Sequence, residues 1–137
     1  MIRSLVLFSN LVQCALSTGC STFDTAAEAG CLTVKQALKL ARTDEQAEVK
    51  ACGVLRYQFE DMNLYATELA ASKHSREDCI SLGKSKDYTE GLEALNGSYV
   101  RVSGLATSQF CPAGTICTAS CSDAGIFVRD VEAVSSQ

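Results

Sequence analysis

Eight cysteines, at positions 14, 20, 31, 52, 79, 111, 117 and 121 of a 137-residue chain, restrict the fold more than any other feature. A cysteine content of about 6% is several times ordinary usage and points to a compartment in which thiols pair. No Cys-x-x-Cys spacing occurs, so neither a zinc knuckle nor a thioredoxin-like redox centre is signalled. The length allows one hydrophobic core and one domain. No apolar run reaches the roughly 18 to 20 residues that span a bilayer as a helix. One proline and nine scattered glycines exclude a collagen-like or linker-dominated chain. Twelve basic against sixteen acidic residues leave a net charge of -4, which opposes the phosphate-neutralising term of nucleic-acid binding.

The amino terminus reads as an address. Met1-Ile2-Arg3 carries one positive charge, Ser4 to Leu16 is mostly apolar, and Ser17-Thr18-Gly19 are small, which is the order of a secretory signal. Residues 1–19 are therefore expected to be removed, with 20–30 a polar tether and 31–137 a single domain. Leu16-Ser17-Thr18-Gly19-Cys20-Ser21 resembles the lipobox of bacterial lipoproteins, although Leu16 stands one place further from the cysteine than is usual. That resemblance implies acylation of Cys20 and a lipid anchor on the periplasmic side of an envelope membrane. Ser17 and Gly19 also suit an ordinary signal peptidase, which would give a plainly secreted protein. Cleavage before Cys20 discards Cys14, and acylation leaves six cysteines, Cys31, Cys52, Cys79, Cys111, Cys117 and Cys121. Unacylated cleavage leaves seven, so parity favours the anchor.

The body of the chain alternates. In Cys31 to Ala41, Thr33 and Gln36 fit a capping box, and Val34, Ala37, Leu38 and Ala41 fall on one face of a short helix. Glu48 to Phe59, Asn63 to Leu69, Cys79 to Leu82, Ser98 to Ala106 and Gly125 to Val134 read as five strands with period two. Asp87 to Leu95 has a helical pattern ending at Asn96-Gly97. The expected fold is mainly β: a five-stranded OB-fold-like Greek-key barrel with a helix between the third and fourth strands. Gly53-Val54-Leu55, Leu64-Tyr65, Cys79-Ile80-Ser81-Leu82 and the run Leu95 to Gly104 resemble small exported OB-fold proteins of bacteria. The similarity implies architecture and address, and it carries no catalytic motif.

Chemistry-bearing residues are few. Cys111, Cys117 and Cys121 crowd the loop before the last strand, where at most one pair can close within the loop and the third must reach outward to pair. Three thiols also suit zinc, but the spacing is not that of familiar sites, so a disulfide-pinned loop is expected. Cys52 and Cys79, within strands, fit either bridges or buried thiols. His74, the single histidine, lies in the polar stretch Ser72 to Asp78 and reads as a solvated loop residue. Glu60 and Asp61 read as turn residues. Tyr57, Phe59 and Tyr65 near the first hairpin, with Lys73 and Arg76, are the candidate ligand face. The expectation is an envelope module that binds a protein, peptidoglycan or small ligand, with no catalytic residue, metal or cofactor and no nucleic-acid partner. The alternative is a thiol or zinc protein using the Cys111, Cys117, Cys121 loop.

Overall fold

The computed structural model describes residues 30–112 and 114–135; the signal segment, Cys20 and most of the tether lie outside the described residues. The order is α1 (Val34–Thr43), β1 (Glu48–Gln58), β2 (Asp61–Tyr65), α2 (Glu68–Ser72), β3 (Cys79–Lys84), β4 (Tyr99–Thr107) and β5 (Gly125–Ala133). The five strands close into a barrel in the order β1-β2-β3-β5-β4. Every neighbouring pair is antiparallel except β3 with β5, which run parallel from Ser81 opposite Gly125 to Lys84 opposite Val128. Closure leaves no long unpaired edge. This is the mainly-β, OB-fold-like barrel that the alternation predicts.

The capping box forms as read. The Thr33 hydroxyl accepts from Gln36 N at 3.2 Å, and Thr33 N donates to Gln36 Oε1 at 2.9 Å, satisfying two amide groups that a helix start leaves unpaired. Val34, Ala37, Leu38 and Ala41 then face inward and pack with Val49, Leu55, Leu64, Ile80, Leu82, Val100, Val102, Ile126 and Val128. Leu32 N and O bond Lys50 O and Cys52 N, so the segment entering α1 lies along β1, where Cys31 is bridged to Cys52.

Two expectations are corrected. The connection between β3 and β4 forms turns, not the helix expected over 87–95. Gly91 there has φ +114, outside helical backbone, so only one i→i+4 bond, Leu95 N to Gly91 O, is made. Leu92 still reaches the core. The short helix instead follows β2, where Asn63 to Leu69 was expected as one strand. Thr67 accepts from Ala70 N at 3.0 Å, and Ala70 and Ala71 turn inward beneath it. They join Val54, Tyr65 and Cys79 in a second small core on the outer face of the barrel.

Candidate functional site

The β4–β5 loop is fastened at both roots. On one side the Phe110 ring lies over Gly83 and Gly125, where a Cβ on Gly125 would meet it at 2.5 Å, and it packs tilted against Phe127 at 5.5 Å between centroids. Phe110 N and Cys111 N both donate to Asp123 O, at 2.9 and 3.2 Å. On the other side Cys121 is bridged to Cys79 of β3. Ser122 and Ser81 exchange bonds, Ser122 N to Ser81 Oγ at 3.0 Å and Ser81 N to Ser122 Oγ at 3.1 Å. Between these roots Cys111 and Cys117 close their own ring, with Cα atoms 6.0 Å apart. The three loop cysteines are thus divided, one pair within the loop and one bridge outward, and they do not converge.

The first hairpin meets this loop. Met62 N donates to Ala119 O at 3.1 Å, and Asn63 donates to the same carbonyl at 3.0 Å and accepts from Cys121 N at 3.0 Å. Asp61, Asn63 and Tyr65 stand at alternate positions of β2 and so share a face. Asp61 Oδ1 accepts from Asn63 Nδ2 at 2.8 Å and from the Tyr65 hydroxyl at 2.9 Å. Its Oδ2 is buried without a hydrogen bond, 3.1 Å from His74 Nδ1. That contact is at ion-pair distance but off the hydrogen-bonding angle. His74 follows α2 with φ +49, which bends the chain back toward β2 while most of its ring stays in water. Asp61 is therefore a buried anchor and not a solvated turn residue, and His74 is held against it.

Of the expected ligand face, Phe59, Lys73 and Arg76 are exposed. Tyr65 is not: it is 2% exposed, in the second core, because α2 covers the outer face of β2. Burial pushes its phenol up to about 12, and the hydrogen bond and negative charge of Asp61 push the same way. Tyr57 is half-buried; its ring lies 5.6 Å from Lys84 Nζ, which also faces Tyr88 at 4.9 Å and pairs with Glu93. The large apolar side chains that the loops present are Phe59 of the expected face, 87% exposed at the β1–β2 turn, and Ile116, 89% exposed in the disulfide ring. Ile116 escaped sequence reasoning. Its signal is that Thr107 to Ser122 contains no charged residue, and Ile116 is its one large aliphatic side chain.

Among the described residues no three His, Cys, Asp or Glu side chains are placed to hold a metal ion, and the six described cysteines are all bridged. No protein-family model and no curated protein sequence matches the chain.

The state of Tyr65 predicts how stability responds to alkali. Below its ordinary value of 10.0 the phenol is neutral in folded and unfolded chains alike, so it adds no pH dependence. Above that the unfolded chain releases the proton while the folded chain keeps it to about 12, so folding is progressively disfavoured across that window. Ultraviolet titration of phenolate should show one tyrosine that stays protonated to about pH 12, and Tyr65→Phe should remove that step. Four tyrosines ionising together near the ordinary value would contradict the buried Asp61–Tyr65 contact.

Proposed function

We propose that this protein is an exported binding module without turnover chemistry, anchored to an envelope membrane by lipid on Cys20, that presents the β1–β2 turn and the β4–β5 loop to a partner protein. The observation that carries the reading is the pair of exposed apolar tips, Phe59 and Ile116, on two loops tied to each other through Met62, Asn63 and Ala119. Large apolar side chains on loops already held in place lose little entropy when they are buried, which is how binding hot spots gain affinity. The charge-free stretch from Thr107 to Ser122 suits the core of a protein interface, where charged residues are depleted. Peptidoglycan or a small ligand is the second occupant of the same face. Nucleic acid is disfavoured by the net charge of -4. Asp61 and His74 serve in this reading to hold the segment after α2 against β2. Three cysteine bridges in a chain of this size support an oxidising destination, and the alternative address is secretion without an anchor.

The anchor and the face are tested separately. Cys20→Ser should abolish lipid attachment and move the protein from membrane to soluble fractions; unchanged membrane association excludes tethering through Cys20. A photo-crosslinking residue at Phe59 or Ile116 should yield one discrete protein adduct in the envelope, and the same residue at Lys50, exposed on β1, should yield none. Equal adducts at all three positions would remove the face from consideration.

A further inference from the structure

We propose that the Cys111–Cys117 bridge is a thiol–disulfide exchange site for a dithiol reductant, while Cys31–Cys52 and Cys79–Cys121 are inert to the same reagent. A thiolate attacks one sulfur of a disulfide and expels the other as a thiolate. In each of the two inert bridges one partner is buried, Cys52 at 3% and Cys79 at 0% exposure. Attack on the accessible partner, Cys31 or Cys121, would drive a thiolate into apolar surroundings, where the charged form is disfavoured. Cys111 and Cys117 are both half-exposed, so either sulfur can be attacked and either can leave into water.

The surroundings favour exchange at the ring for two further reasons. No charged side chain lies between Thr107 and Ser122, and Asp123, the one acid of the loop, is paired with Arg42 at 3.2 Å, so no unpaired acid within the loop repels an approaching thiolate. Opening the ring also leaves the barrel intact. Its roots are held independently by Phe110 over Gly83 and Gly125, by Asp123 O, and by Cys79–Cys121 with Ser81 and Ser122, while the bond from Thr115 N to Pro112 O is internal to the ring.

The step balances as a two-electron transfer. One thiolate of the incoming dithiol bonds to Cys117 Sγ, the Cys111–Cys117 bond breaks, and Cys111 leaves as a thiolate that takes a proton. The second thiol of the reagent loses its proton and attacks the mixed disulfide, expelling Cys117, which is protonated in turn. Cys111 and Cys117 end as two thiols, and the reagent ends as its own disulfide. With the binding face proposed above as premise, the oxidised ring holds Ile116 fixed and the reduced chain releases it, so exchange would regulate docking.

The test uses dithiothreitol on the native, disulfide-bonded protein, followed by alkylation and peptide mass measurement. Cys111 and Cys117 should be labelled together, more than about tenfold faster than the other four described cysteines, with circular dichroism unchanged. In the Cys111→Ser, Cys117→Ser variant none of the other four described cysteines should label over the same period. Labelling of Cys31, Cys52, Cys79 or Cys121 at a comparable rate, or no labelling until the protein unfolds, overturns the proposal. Photo-crosslinking through position 116 before and after reduction separates the two readings. An adduct lost on reduction supports the switch, and an adduct indifferent to reduction overturns the regulatory step. No adduct in either state, with the labelling pattern as expected, overturns the binding face and leaves the exchange site standing.

Discussion

Gly104→Ala is expected to destabilise the barrel by about 3 kcal/mol, a loss of roughly 10 °C in Tm. Gly104 lies in β4 between Val49 of β1 and Val128 of β5, and the register with β5 slips between Ser103 and Gly104. That irregularity brings the two chains so close that a Cβ on Gly104 would stand 2.1 Å from Phe127 O, 2.9 Å from Phe127 C and 3.0 Å from Val128 Cα. All three are backbone atoms, so no side-chain rotation relieves the contact, and β5 must move. Moving it disturbs Ile126 and Val128, which fill the barrel core with Val102 and Ala106. Ser103→Ala, one residue away on the same strand, should change stability by less than about 0.5 kcal/mol. Thermal unfolding of both variants checks the contrast. Equal midpoints would mean that β4 and β5 are not pressed together at this glycine.

The strands were legible because period two survives wherever one side of a strand faces the core. Val49, Ala51 and Leu55 in β1 alternate as read, and all three are buried. The outward face was not legible, since Val54, Tyr65 and Cys79 are buried there by α2, a helix of five residues too short to show a period. The same absence of pattern let Leu69 pass for a strand residue. At Asp87 to Leu95 the apolar spacing was helical, but Gly91 takes a backbone angle that a helix cannot hold. The site was partly written in β2. Asp61, Asn63 and Tyr65 at alternate positions place two acceptor-bearing side chains and a phenol on one face, a signal hidden when the strand is begun at Asn63. The approach of His74 was not legible, because it depends on α2 and on the positive φ after it. For the cysteines, counting established that the loop could close one pair and export the third; identifying Cys79 as its partner required knowing that β3 lies beside the end of the loop.

Removing that partner should be the most costly change at the candidate site. Cys79→Ala with Cys121→Ala opens a bridge across a sequence separation of 42 residues, for which chain entropy gives about 4 kcal/mol of stabilisation, against about 2 kcal/mol for the six-residue separation of Cys111–Cys117. The native state has other holds on the loop: Asn63 on Ala119 and Cys121 N, and Ser81 on Ser122. The double variant should therefore keep the barrel's circular dichroism at low temperature and lose roughly 15 °C of Tm. Because the bridge acts chiefly by restricting the unfolded chain, the denaturant m-value should also rise as the unfolded state expands. The Cys111→Ala, Cys117→Ala variant, measured alongside, should lose about half as much. A Cys79/Cys121 loss no greater than the ring's would show that the side-chain bonds to β2 and β3, and not the bridge, fix the loop that carries Ile116.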